Sequence, residues 1–401
     1  MSIAGATATA DPAPNLPAGP ILQQADWPND PSFARCELQD PVTGCTDSEQ
    51  WNLYGPMDGL CKAPGGVNFD QPRPSNGLPC WARNATDPEG SSGVNITGAW
   101  AQGNVGRDDM LVAYIEGGVN YSSNGIKDGL DAVYINPGES PYPEGWNGQD
   151  LGRYDFDGNG QFDIRDYAKD PRVNPACGPG DPQFTDYEEG TTRGCATNGT
   201  HEYLNEVNIN GPKTAYLSPE DLIAVFGHCK ITNGEIDNCA DGLKVDNDGN
   251  GYPNDVSGWN AYTNTNDPQT EDPGYNHAPG LISLIGAEAN NNYDDVGVCR
   301  ECRVLPVKSG AESVGKTDNW TPALNYAVDA GAKSIASVVV SYTYSSAARE
   351  AVKHAIDKNV LLSFDSNDFD AMDHTDGHLY DEVFPGNSVV QDIEGKDVRT
   401  F

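Results

Sequence analysis

Apolar residues are thinly spread over the first 95 positions and then gather into short, dense runs. The first, "MLVAYIE" from Met110, is bounded by polar sequence and reads as a buried strand. Further on come "GLISLIGAEAN", "CRVLPVKSG", "TDNWTPALNYAVDAGA", "SIASVVVSY", "SSAAREAVKHAIDKN" and "VLLSFDSND", read in turn as helix, strand, helix, strand, helix and strand. The longest helix opens at a Thr/Asp cap and closes at Gly331. Strand alternating with helix predicts an α/β fold: a parallel sheet doubly wound by helices on both faces. In such sheets ligands and reactive groups collect at the carboxyl ends of strands. Glu116 and Asn367 stand at two such ends, and Glu116 is followed directly by two glycines.

The stretches without periodicity complete the organisation. Residues 1–95 are rich in Pro, Asn and Cys and read as a loop-rich, disulfide-tied extension ahead of an α/β domain over 96–401. Residues 140–241, rich in Gly, Asp and Asn, read as an insertion in that domain. Ten cysteines, an even count set mostly in loop-like sequence, suit disulfides in an oxidising compartment. The close pair in "CREC", Cys299 and Cys302, reads as a loop staple in preference to a redox or zinc half-site. Sequons at Asn84, Asn95, Asn120, Asn198 and Asn319 fit a secreted or cell-surface chain. The opening "MSIAGATATADPAPNLPAGP" has the small-residue steps of a trimmed export signal without its apolar stretch, and no apolar run reaches membrane-spanning length.

Charge narrows the partners. Sixty acidic residues against 24 basic ones give a formal charge of −36. Phosphate backbones and anionic lipids are repelled by such a chain, which leaves cations as its natural ligands. Calcium has a specific candidate in "DFDGNGQFDIRD", where Asp155, Asp157, Asn159, Asp163 and Asp166 stand at positions one, three, five, nine and twelve of a calcium loop. Gly160 supplies the sharp turn at the sixth position, Phe162 the apolar eighth, and the backbone carbonyl of Gln161 the seventh-position ligand. An Asp at the twelfth position resembles the dockerin variant of the EF-hand. A second acidic set, Asp246, Asp248, Asn250 and Asp255 in "VDNDGNGYPNDVSGWN", is a further candidate for calcium. "VNINGPKTAYLSPEDLI" has the outline of a decayed loop and helix, with its acids out of position. His374, His378 and Asp381 make a weak metal clamp, their spacing across loops being easily met by chance.

Taken in order, "LVAYIEGGVN", "YINPGE", "VDNDGNGYPNDVSGWN", "NDP", "NHAPGLISLIGAEANNN", "GVCRECRVLPVKSG", "ALNYAVDAGAKSI" and "VLLSFDSNDFD" resemble the catalytic domain of subtilisin-like serine peptidases over residues 95–390, the insertion apart. That resemblance implies a serine nucleophile, a histidine that takes its proton, an acid that fixes the histidine's tautomer and an asparagine that donates to the oxyanion. Glu116 stands where the family has the aspartate of "V-I-D-T-G", His277 matches the histidine of "H-G-T-H-V-A-G", and Asn367 that of "A-A-G-N". The resemblance further implies a peptide or protein as substrate or ligand.

Two departures count against catalysis by this chain. Val338, Val339 and Val340 replace the "S-L-G" that lets an extended substrate approach the backbone. No segment like "G-T-S-M-A-A-P" is present, so the nucleophile is expected to be missing. Three functions stay open: the front part of a secreted serine endopeptidase, a calcium-held pseudopeptidase that binds protein or glycan, and a structural surface protein.

Overall fold

A computed structural model describes residues 28, 30, 96–121, 123–146, 154–156, 158, 160–168, 170–173, 217–240, 242–270, 272, 274–290, 295–311, 317–337 and 345–364. Two compact units divide them. One runs to Val105 and contains the short helix α1 (Ile96–Trp100); the other begins at Gly106 and also takes in Pro28 and Asp30.

The second unit is built on a five-stranded parallel sheet. Its strands are β1 (Leu111–Glu116), β4 (Trp259–Asn260), β5 (Arg303–Lys308), β6 (Ser334–Ser337) and β7 (Leu361–Phe364), in the spatial order β4-β5-β1-β6-β7. Every pairing is parallel, with Glu116 opposite Lys308 and Ile115 opposite Ser337 across the two central ladders. The first strand in sequence therefore lies in the middle, flanked by strands that follow it by more than 180 residues, and the chain reverses its winding direction beside it. Crevices form at such reversals.

The apolar runs are continuous because both sheet faces are covered, yet the pleat still sorts them by alternate residues. Leu111, Ala113 and Ile115 of β1, with Leu305 and Val307 of β5, face α4 (Thr317–Asp329) and α5 (Ser346–Asp357), where Trp320, Leu324, Val352 and Ala355 complete one core. Tyr114 and Val304 face the other side and meet α3 (His277–Gly286) and the 3-10 turn Asn124–Gly129 through Ile282, Ile126 and Leu130. Each fully buried side chain of this size stabilises the fold by about 1.5–3 kcal/mol. The helix α4 ends as expected: Gly331 takes φ +91°, and Ala332 N–H turns back to the Ala327 carbonyl at 3.0 Å.

Within the insertion lies more order than its sequence predicts. Tyr154, Phe162, Ile164, Tyr167, Leu222 and Phe226 form a third core. It holds α2 (Pro219–Phe226) against a hairpin of β2 (Cys229–Thr232) and β3 (Glu235–Cys239), closed by the Cys229–Cys239 disulfide. A second disulfide joins Cys299 to Cys302, as the staple reading of "CREC" expects. The other six cysteines lie outside the described residues. No described helix is long and apolar enough to cross a membrane.

Candidate functional site

The central strand ends in an acid held from three sides. Glu116 is only 5% exposed. Its Oε2 accepts the Gly117 N–H and the Tyr275 hydroxyl, and its Oε1 faces His277 Nδ1 at 3.1 Å. The two oxygens thus do separate jobs: one is anchored to the protein and the other orients the imidazole. His277 is the first residue of α3, which sets its ring at the helix's open end, and its side chain remains 55% exposed. A carboxylate on Nδ1 favours the tautomer that keeps the proton there and turns the lone pair of Nε2 outward.

Neighbouring residues fix the acid's backbone. Ser309 N–H donates to the Glu116 carbonyl at 2.7 Å, continuing the ladder. Gly118 takes φ +106°, and a Cβ there would come within 2.9 Å of the Lys308 Cδ and 3.0 Å of the Pro268 carbonyl. The glycines behind Glu116 therefore answer a close approach of chain and side chain. Lys308, level with Glu116 on β5, donates to the Gln269 carbonyl at 2.8 Å. The Tyr114 phenol, buried next to this group, is pushed far up by burial and then by the charges of Glu116 and Tyr275, so it stays neutral. Tyr114 and Tyr275 escape a reading of the sequence alone; the only local signal is that Tyr275 precedes the histidine by two residues in "GYNH". Asn367, the valines 338–340 and the set His374, His378 and Asp381 lie outside the described residues.

The second acidic set gathers around one point. Glu139, Asp246 and Asp248 bring ligand oxygens within 4.8 Å of one another and could hold a metal ion. The loop is curled by its own carboxylates: Asp246 accepts the N–H groups of Gly249, Asn250 and Gly251 at 2.7, 3.0 and 2.9 Å. Glu139 comes from more than a hundred residues away, its Oε1 accepting Asn247 N–H at 2.6 Å and its Oε2 the Asn247 amide at 2.8 Å. Behind them Asp255 is bonded to the amides of Asn136 and Asn250 at 2.9 and 3.1 Å and to the Tyr326 hydroxyl at 2.9 Å. Burial first, and then the charge of Asp248, pushes Asp255 up to about 8. Glu139 is pushed up to about 7, chiefly by burial. Such crowding of acids is relieved by a cation. Glu139 sits in the quoted segment "YINPGE", but nothing local distinguishes it as a ligand.

In the 155–166 loop the described acids are bonded within the protein, apart from Asp155 Oδ1, which is buried without a hydrogen-bond partner among the described residues. Gly160 turns at φ +89° and donates to Asp155 at 3.1 Å, while Phe162 enters the insertion core. Asp166 accepts the N–H groups of Phe156 and Asp163 at 2.5 and 2.9 Å. Asp163, fully buried, pairs with the Arg165 guanidinium at 2.8 Å, and the Arg303 guanidinium lies 4.0 Å away. Burial opposes its charge, but Arg165 and then Arg303 outweigh that and hold Asp163 below the usual carboxylate range. The Gln161 side chain accepts from Arg303 at 2.5 Å. Asp157 and Asn159 lie outside the described residues.

No protein-family model matches this chain, and no curated protein matches it in sequence.

Proposed function

We propose that this chain carries the acid and base of a divergent subtilisin-like peptidase site in a secreted or cell-surface protein held together by calcium. The observation that carries this reading is the pair Glu116 Oε1–His277 Nδ1 at 3.1 Å, at the end of the central strand, with Oε2 anchored by Gly117 and Tyr275. In this reading Glu116 holds His277 in the tautomer whose Nε2 accepts the proton of an attacking hydroxyl, and returns orientation to the imidazolium that forms. Asn367 is proposed as the oxyanion donor on the resemblance alone. The nucleophile is not assigned to any residue of this sequence. Calcium is proposed for Glu139, Asp246 and Asp248, backed by Asp255 and Asn250, because the donors are all hard oxygens. For Asp155, Asp157, Asn159, Gln161, Asp163 and Asp166, the spacing remains the support for calcium, and the pairing of Asp163 with Arg165 weighs against it.

A second reading, a pseudopeptidase that binds protein without cleaving it, is favoured by Val338, Val339 and Val340, which stand where the resemblance has the "S-L-G" that receives an extended substrate. A fluorophosphonate probe on the full-length gene product separates the two. Labelling of the wild type that disappears in His277→Ala and falls in Glu116→Gln supports the peptidase. A folded, full-length protein that takes up no probe sinks it and leaves the binding module.

A further inference from the structure

The Cys299–Cys302 disulfide belongs to neither of these sites, and as a staple it has little left to hold. Its cysteines are three residues apart, and the turn between them is already closed by the Cys302 N–H, which donates to the Cys299 carbonyl at 3.0 Å. The turn is also tied to the end of α3, where the Leu284 and Ile285 carbonyls accept the N–H groups of Val298 and Cys299 at 3.0 and 2.8 Å. A disulfide stabilises through the chain it constrains, and a bond across so short a loop constrains little.

What the bond does touch comes from far earlier in the chain. Gly106 takes φ +97°, and a Cβ there would lie 2.4 Å from the Cys299 Sγ, 3.0 Å from the Cys302 Sγ and 3.3 Å from the Cys302 nitrogen. The Gly106 backbone is therefore seated directly on both sulfurs. From this seat the chain runs into β1 and holds the start of β5: Asp108 accepts from Arg303 Nε at 2.8 Å, and the Met110 carbonyl accepts the Arg303 N–H at 3.0 Å. The two sulfurs are unequally reachable. Cys302 is 1% exposed, whereas Cys299 is half-buried, so an incoming thiolate meets Cys299 first.

We propose that Cys299–Cys302 is a reversible redox site, opened by a dithiol, whose state is read by the Gly106 segment at the entry to the central strand. One thiolate of the dithiol attacks the Cys299 Sγ. The Cys299–Cys302 bond breaks, and Cys302 leaves as a thiolate that takes up a proton. The second thiolate of the dithiol attacks the dithiol sulfur now joined to Cys299, which leaves as a thiolate and is protonated in turn. Two electrons have passed to the pair, and the dithiol has become a cyclic disulfide. Unbonded sulfurs separate to van der Waals contact; since Gly106 fills the space beside them, the thiols or the Gly106 segment must shift.

The full chain is equilibrated in dithiothreitol buffers of graded reduced-to-oxidised ratio, alkylated and read by peptide mass spectrometry, with hydrogen exchange followed on the same samples. Cys299 and Cys302 are expected to become alkylated together along one reversible two-electron curve while the cooperative melting transition persists. The Cys299 and Arg303 amides should exchange about tenfold faster in the reduced chain. In Cys299→Ala/Cys302→Ala the reductant should leave the Arg303 amide unaffected, which separates this bond from the other cysteines. Oxidised glutathione should cap Cys299 in folded Cys302→Ser far faster than it caps Cys302 in folded Cys299→Ser. A bond that opens only when the chain unfolds would overturn the proposal, as would exchange at Gly106–Met110 and Arg303 that is equal in the two states, an Arg303 response that survives in the double variant, or equal capping of the two cysteines.

Discussion

The two acidic loops share one outline in the sequence and differ in what neutralises them. In the 155–166 loop the buried acid Asp163 is matched by Arg165 and Arg303, and its proton affinity falls. Among the described residues no guanidinium pairs with an acid of the 246–255 loop. Glu139 and Asp255 instead face Asp248, share amide and phenol donors, and are pushed up. A carboxylate answered by arginine is satisfied whatever the calcium concentration; carboxylates answered by one another need an ion or a proton. The spacing of aspartates and glycines does not separate the two cases; Arg165, two residues after Asp163, does, and Arg303 of β5 adds to it from some 140 residues along the chain.

The largest effect expected from this difference lies at Asp163. Asp163→Ala takes the fully buried acid from between Arg165 and Arg303; Arg165 keeps Glu288 and Asp131, and Arg303 keeps Asp108, so the loss is at most the roughly 3–5 kcal/mol of breaking a buried ion pair. Urea denaturation should show that loss, equal in size with calcium and with EGTA. A loss that appears only in calcium would make Asp163 a metal ligand and erase the distinction.

Calcium removal comes next. An ion present at a hundred times its dissociation constant stabilises the folded state by about 2.7 kcal/mol. Melting curves in EGTA should therefore fall below those in calcium. Asp246→Asn should narrow that gap, whereas Asp155→Asn should leave it as in wild type. If Asp155→Asn narrows it and Asp246→Asn does not, the roles of the two loops are exchanged.

How much of this was legible from residues alone follows from the range of the interactions. The strands at Leu111 and Arg303 and the helices at Thr317 and Ser346 show themselves because a buried run or an apolar stripe is a local property. Their parallel pairing follows from the alternation of strand and helix. The hairpin from Cys229 to Cys239 is missed because its strands are only four and five residues long and the second is mostly exposed and without alternation. Two-residue β4 offers no pattern to find. The insertion's core is built from single aromatics such as Tyr154 and Phe226, spaced without a period. At the candidate sites, Glu116 is marked by its place at a strand end and His277 by its match to the histidine of the resemblance, but Tyr275 and Glu139 are not marked, since each acts on a residue far away in sequence.

The smallest of the three effects is the dependence of calcium binding on pH, and it bears on the loop that has no arginine. Asp255 has an ordinary value near 3.9 when unfolded and about 8 when folded, and Glu139 rises from about 4.3 to about 7. Folded values above unfolded ones mean that the native state holds these protons more tightly. Without a metal, their contribution to stability is complete below about pH 4 and is lost as the pH climbs through 7 and 8. Calcium must displace the same protons, so its affinity rises over that interval, by up to tenfold, or about 1.4 kcal/mol, per pH unit for each proton released. The phenols of Tyr134 and Tyr326, which also face the cluster, are pushed above their usual range and stay neutral throughout. Calcorimetric titrations in buffers of different ionisation enthalpy should count protons released on binding, with fewer released in Asp255→Asn. Calcium binding that releases no proton between about pH 5 and 8 would mean that these carboxylates are already ionised in the folded chain, and that the two loops differ less than their charge partners indicate.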